Sequence, residues 1–353
     1  MSLVLITGGL GFIGSHTCIS LLTKGIDILI IDSLINSSKD NFKNLKKSIQ
    51  NINKSKVGNL SFLEGDLRNN KWLDAVFQKQ ITLNNPIDSV IHFAGLKSVE
   101  ESVLKPLKYW DVNVNSTLSL LSSMNKFNCN SIVFSSSATI YKPIEGKKIN
   151  EKSLKEPINP YGNSKITIEK ILSDLYFSDR NKWKIINLRY FNPVGCHESG
   201  QLGEDPIGNP SNLFPMIGKV IAGEMDCLHI YGNDWPTQDG TCVRDYIHVM
   251  DLSEAHFSAL QFLEKNPSQF KSLNIGTGRG FSVLEIVNKY SKLNNVEIPY
   301  KFSDRRSGDA PFVVSDNKLA LSLLDWKPQK TIEDSCIDSY RFLKNKLKNL
   351  YVK

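Results

Sequence analysis

Apolar residues along this chain switch repeatedly between two spacings. Leu3–Thr7 is a short apolar run that ends in glycines. Over 13–23 the apolar positions Ile13, Cys18, Leu21 and Leu22 recur at helical spacing, Gly25 stops that helix, and 28–31 is a second apolar run. The same alternation predicts strands at 60–63, 89–93, 131–134 and 185–188, with helices near 71–80, 111–126 and 164–177. Strands that read as unbroken Val, Ile and Leu are buried on both faces, which means a parallel sheet covered by helices. The expected fold class is therefore α/β, a doubly wound parallel (Rossmann) sheet with a smaller C-terminal α/β substrate domain.

Past Asn192 the pattern breaks at Pro193, Pro206, Pro210, Pro215 and Pro236 and a series of glycines. The expected division is 1–190 for a dinucleotide-binding domain and 191–353 for a second domain. Residues 245–249 and the apolar-periodic helix over 252–263 still read as strand and helix of the first sheet, so 243–265 is expected to return to it. No internal repeat is evident, and the Asn-, Lys- and Ser-rich stretch 36–59 reads as a loop.

Composition narrows the classes. The 353 residues suit about two domains, and 41% hydrophobic with 22% charged residues excludes a disordered or fibrous chain. The net charge of +7 comes from 43 basic residues, of which only 8 are Arg. Lysines such as Lys43, Lys46, Lys47, Lys54 and Lys56 are dispersed among Asn and Ser, as on a solvated surface, so no nucleic-acid partner is expected. Six cysteines, Cys18, Cys129, Cys196, Cys227, Cys242 and Cys336, form no C-x-x-C pair and no ligand cluster, so no metal is expected. A strand that starts at Leu3 leaves no room for a signal peptide, and no apolar run nears the ~20 residues a bilayer requires. No membrane partner and a cytoplasmic location follow as expectations.

Chemistry enters at the glycines. Gly8-Gly9-Leu10-Gly11-Phe12-Ile13-Gly14 contains G-x-G-x-x-G between a strand and a helix, the context in which backbone N–H groups and a helix N-terminus cradle a pyrophosphate. Asp32 ends the second strand, where a carboxylate accepts the ribose hydroxyls and repels a 2′-phosphate; with no Arg over 33–38, NAD is expected rather than NADP. Asp66 and Phe93-Ala94-Gly95 fall at the carboxyl ends of the third and fourth strands, on the same crevice.

The fifth strand runs into Ser135-Ser136-Ser137-Ala138-Thr139, and Tyr161 and Lys165 stand at i and i+4, on one helical face. An ammonium beside a phenol stabilises the phenolate, so that Tyr161 can act as a base.

On the glycine motif, Asp32, Ser137, Tyr161 and Lys165, the chain resembles the extended short-chain dehydrogenase/reductase superfamily. Through HFAGLKSVEESV (92–103), FSSSATIY (134–141), LRYFNPVG (188–195), GEDPIG (203–208), DGTCVRDYIHVMDL (239–252) and RRSGD (305–309), it is similar to the UDP-glucose (UDP-galactose) 4-epimerase family within it. The resemblance covers nearly the whole chain. It implies reversible inversion at C4 of a UDP-hexose through a 4-keto sugar, with NAD as a regenerated cofactor. Tyr161 would take the 4-hydroxyl proton, Ser137 would bond the same hydroxyl, and Lys165 would hold the nicotinamide ribose and keep Tyr161 acidic.

The resemblance also implies cofactor contacts at Gly8, Gly11, Phe12, Ile13, Gly14, Asn36, Ser37, Asp66, Leu67, Phe93, Ala94, Gly95, Lys97 and Tyr190. It implies substrate contacts at Lys97, Phe191, Asn192, Asn212, Leu213, Tyr231, Arg244, Arg306, Asp309 and Val313. Guanidinium forks suit diphosphate oxygens, which makes Arg244 and Arg306 the clamp. Val313 stands where large aromatics exclude N-acetylated sugars and small residues admit them, so UDP-GlcNAc and UDP-GalNAc are expected to enter. Lys142 follows Tyr141 where the family usually has Gly. A homodimer through the helices near 111–126 and 164–177 is implied as well.

Three other readings share parts of this pattern. A nucleotide-sugar 4,6-dehydratase needs an acid and base pair after the strand serine, where Ala138 and Thr139 stand instead. A UDP-glucuronate epimerase or decarboxylase would need cations for the sugar carboxylate. A non-catalytic NAD-sensing regulator typically loses the Tyr or Lys that this chain retains.

Overall fold

The computed structural model describes residues 3–50, 57–142, 146–208, 210–306 and 308–351. Its first part runs β1 (Leu3–Thr7), α1 (Phe12–Leu22), β2 (Asp27–Asp32), α2 (Lys39–Gln50), β3 (Leu60–Glu64), α3 (Asn70–Thr82) and β4 (Ile87–His92). Next come α4 (Val99–Leu104), α5 (Pro106–Tyr109), a π-helical turn (Trp110–Asn115), α6 (Ser116–Lys126), β5 (Ser131–Ser137), α7 (Pro160–Ser178) and β6 (Lys184–Tyr190). The remainder is β7 (Asn192–Val194), α8 (Leu213–Ile221), β8 (Leu228–Tyr231), β9 (Val243–His248), α9 (Val249–Lys265), β10 (Gln269–Ile275) and β11 (Gly280–Ser282), then α10 (Val283–Asn294), β12 (Tyr300–Ser303), β13 (Phe312–Val313), α11 (Lys318–Leu323) and α12 (Ile332–Tyr351).

Seven strands pair in parallel in the order β3-β2-β1-β4-β5-β6-β10. Alternate residues of β1 feed two cores. Val4 and Ile6 pack with Leu21 of α1 and Leu260 of α9, while Leu3 and Leu5 pack with Leu73 of α3, Leu120 of α6 and Leu172 of α7. Strand order reverses between β1 and β4, and all carboxyl ends share one edge, so the crevice that holds a ligand in such sheets opens over Gly8, Asp32, His92, Ser137 and Tyr190.

The structure revises several elements. The strand expected to rejoin the large sheet is β9, which pairs instead with β7, β11 and β13 in a four-stranded sheet. Only α9 behind it packs on the large sheet. The seventh strand is β10, unforeseen because Gln269, Lys271 and Ser272 interrupt its apolar residues, as befits a sheet edge. The stretch 36–59 is not simply a loop: α2 occupies much of it, with Phe42, Leu45 and Ile49 turned to the core at helical spacing. Residues 51–56 of that stretch lie outside the described residues. Helix α7 starts at Pro160, because Asn159 caps it by accepting Gly162 N–H at 2.8 Å and proline needs no N–H in the first turn.

Candidate active site

The glycine turn is built by contact between backbones. Gly8 has φ +68°, and a Cβ there would lie 2.7 Å from Ala94 N; at Gly14 it would lie 2.4 Å from Gly8 O. Helix α1 begins on Gly11 with no side-chain cap and no acidic residue in its first turn, so Phe12 and Ile13 open it with no competing anion. Asp32 is buried at the end of β2: Oδ2 accepts Leu10 N–H at 3.0 Å, and Oδ1 accepts Leu34 N–H at 3.0 Å and the Ser37 hydroxyl at 2.8 Å. Ser37 thus touches Asp32, and exposed Asn36 reaches across to Gly95 O at 3.5 Å. Two glycines with no room for side chains, a bare helix start and a braced carboxylate fit the pyrophosphate and ribose of NAD.

Around this crevice, Asp66 is forked by Arg68, whose Nε lies 3.0 Å from Oδ1 and Nη2 2.5 Å from Oδ2. That hydrogen bonding holds the Asp66 carboxyl below its usual range, and Arg68 also pairs with Asp111. Leu67 sends its side chain into the core, so only its backbone is free for a ligand. Phe93 N–H bonds Thr7 O at 3.0 Å, and its ring lies 4.8 Å from that of His256.

Ser137, Tyr161 and Lys165 come together where β5 ends against α7. Ser137 Oγ accepts Thr139 N–H at 3.2 Å and the Thr139 hydroxyl at 2.9 Å, and Ser137 stands beside the Tyr161 phenol and favours its ionised form. Lys165 Nζ donates to Ser135 O at 2.7 Å and sits 5.8 Å from the centre of the Tyr161 ring. Burial brings Lys165 down to about 8, with Glu169 opposing it. Burial also pushes the Tyr161 phenol up, against the Ser137 hydroxyl. The Lys165 ammonium, expected to keep Tyr161 acidic together with the nicotinamide of NAD+, is turned toward a strand carbonyl, and burial is the largest influence on the phenol. Tyr190 is buried, with its hydroxyl paired to His256 and its phenol pushed upward by burial, so it backs the crevice instead of opening into it.

The sugar side assembles from distant segments. Phe191, Tyr141, Ile140 and Ile149 form a small cluster against which Ala138 and Val313 pack. Asn192 opens β7 opposite Tyr246. Arg244 donates to Ala310 O at 2.7 Å, Val243 O at 3.0 Å and Asp309 Oδ1 at 3.4 Å. Arg306 donates to Asp309 Oδ2 at 3.1 Å and lies 4.6 Å over the Tyr231 ring. Tyr231, Arg244, Arg306 and Asp309 are thereby one cluster. Lys97 Nζ and Asn212 Nδ2, the latter just ahead of Leu213 in α8, both donate to Glu204 Oε1, at 2.6 and 2.7 Å. Lys142 fits its turn without a left-handed backbone, its N–H on Leu154 O at 2.9 Å and its ammonium on Glu156.

Sequence reasoning missed two carboxylates. Glu204 bridges Lys97 and Asn212 across 107 residues of chain, which no local pattern announces. Glu169 pairs with Arg189 at 2.6 Å with both side chains buried; its signal was the continued spacing Tyr161, Lys165, Glu169.

Residues 5–338 match the family model described as GDP-mannose 4,6 dehydratase. The UDP-glucose 4-epimerase of Bacillus subtilis (strain 168) is 44% identical over 339 residues, 96% of each chain. A crystal structure of UDP-glucose 4-epimerase from Stenotrophomonas maltophila, with bound NAD and formylated UDP-arabinopyranose, superposes with a TM-score of 0.92 at 38% identity, covering 99% of this chain and 100% of that one. That of Bifidobacterium longum, in complex with NAD+ and UDP, gives 0.89 at 42% identity and 98% and 99% coverage.

Proposed function

The chain belongs to the UDP-glucose 4-epimerases of the extended short-chain dehydrogenase/reductase superfamily, and from that premise we propose that Tyr161, Lys165 and Ser137 carry its chemistry. The reaction is reversible, NAD-dependent epimerisation at C4 of UDP-glucose and UDP-galactose through a 4-keto sugar. NAD supplies the hydride acceptor when bound; Gly8, Gly11 and Gly14 hold its pyrophosphate, and Asp32 its adenosine ribose. Tyr161 takes the proton of the 4-hydroxyl and later returns it, Ser137 orients that hydroxyl, and Lys165 supplies the positive field on which a phenolate depends. Arg244 and Arg306 clamp the diphosphate.

The observation that carries this reading is the meeting of Ser137, Tyr161 and Lys165 at the carboxyl end of β5, on the edge that carries the Gly8 turn. Ala138 and Thr139 occupy the turn after Ser137, where dehydration would need an acid and a base, so the dehydratase chemistry named by the family model is disfavoured. Purified protein incubated with UDP-galactose and no added NAD should yield UDP-glucose by chromatography; a dehydrated keto sugar as the product would overturn the reading.

Finer assignments rest on particular residues. Val313, a small side chain packed on the cluster that holds Phe191, supports turnover of UDP-GlcNAc and UDP-GalNAc. Leu104 and Leu107 are 74% and 82% exposed, next to Val103, Trp110 and Leu118; this apolar face across α4 to α6, with Phe177 on α7, supports a homodimer. The division of labour is 1–190 for NAD and 191–353 for the UDP-sugar, with α9 and β10 returned to the first. A cytoplasmic location accords with six unpaired thiols, five of them buried.

A further inference from the structure

Three consecutive residues of β5 hold three residues of α7 spaced by four. Ser137 stands beside Tyr161, Ser135 O accepts Lys165 Nζ at 2.7 Å, and the Ser136 hydroxyl donates to Glu169 Oε1 at 2.6 Å. Glu169 also accepts Arg189 Nε at 2.9 Å and Nη2 at 2.6 Å. Arg189 Nη1 donates to the Tyr141 hydroxyl at 2.7 Å, which donates to Asn274 Oδ1 at 2.7 Å. A buried ion pair is poor evidence of stabilisation, because desolvating both charges offsets their attraction. This one needs another reason to be there.

Resting on the Tyr161 and Lys165 assignment above, we propose that Glu169 is a positioning residue for that pair: clamped by Ser136 and Arg189, it sets the height of α7 on β5 and stands as the counter-charge of the Lys165 ammonium. Glu169 lies one helical turn beyond Lys165 on the same face, and its charge favours the ammonium against the burial that opposes it. Among the described residues, no other group around Lys165 fills that role. His92 of β4 is kept neutral by burial, at about 3. Tyr190 of β6 is paired to His256, and the phenols of Tyr161 and Tyr141 are pushed upward by burial. Arg189 is itself a cation. Glu101 of α4 is engaged by Lys108 and Tyr109, and Glu151 by Asn274 N–H.

The test is the pH profile of kcat for UDP-galactose in the NAD-loaded enzyme. Removing the carboxylate in Glu169→Gln should move the alkaline limb down by about one pH unit or more, since Lys165 then loses its proton earlier. Glu169→Asp should restore the limb with a lower plateau. A purely structural role would lower the plateau and leave the limb in place, and that result overturns the proposal. If Glu169→Gln does not fold, Ser136→Ala decides, because it loosens the clamp and spares the ion pair: kcat should fall several-fold with KM and bound NAD unchanged, and an unchanged kcat overturns the proposal. Tyr161→Phe separates the two levels. If that variant stays active, the catalytic assignment itself fails; if it is inactive while the Glu169→Gln limb does not move, only the role of Glu169 fails.

Discussion

Asp32 Oδ2 accepts the N–H of Leu10 at 3.0 Å, so the carboxylate that would take the ribose also braces the glycine turn that would take the pyrophosphate. The end of β2 and the glycine turn are thus fixed to each other. Asp32→Asn retains an oxygen for Leu10 but loses the charge that strengthens hydrogen bonds to ribose hydroxyls. NAD retention through gel filtration should weaken by about tenfold, roughly 1.4 kcal/mol. Retention equal to the parent protein would remove Asp32 from the cofactor site.

Arg244 is held on its strand by Ala310 O and Val243 O and faces Asp309. Lysine cannot make this fork. Arg244→Lys should raise KM for UDP-galactose and the inhibition constant for UDP together, by about tenfold, with kcat little changed. A fall in kcat at constant KM would mean that Arg244 acts on the reacting carbon instead of the diphosphate.

Val313 packs against the cluster of Phe191 and Tyr141, on a strand beside Arg244. A tyrosine there would take the place that an N-acetyl group needs beside the sugar. Val313→Tyr should therefore abolish turnover of UDP-GalNAc and spare that of UDP-galactose. Parent protein that turns over UDP-galactose readily and UDP-GalNAc not at all would refute the specificity claim.

Acid should destabilise the fold through buried histidines. Burial lowers His16 and His92 from 6.5 to about 3 and His256 to about 4. The neutral forms belong to the folded state, so their stabilisation is complete above pH 6.5 and is lost as pH falls toward those lowered values. Each histidine that must take up a proton on unfolding makes stability fall as pH drops through that window. Thermal unfolding should show Tm falling below pH 6.5, less steeply in a variant such as His256→Asn.

Much of this was legible in the sequence, for identifiable reasons. Strands β1 and β2 carry unbroken apolar runs because helices cover both faces of the sheet, and the Gly8 turn, Asp32, Tyr161 and Lys165 are local patterns. Strand β10 was hidden because an edge strand tolerates Lys271 and Ser272, and α2 because its three core residues are diluted among Asn and Lys. The placement of β9 in the smaller sheet depends on partners far away in the chain. So do the Glu204 bridge and the turn of Lys165 toward Ser135 O, which no spacing rule could show.

The central claim is that the Tyr161 phenol moves the sugar hydroxyl proton. Its most direct test is single-turnover reduction of the bound cofactor by UDP-glucose, followed by absorbance in the near ultraviolet, in parent protein and Tyr161→Phe. In the variant the cofactor should stay bound yet be reduced more slowly by about a hundredfold or more. Reduction at the parent rate would contradict it.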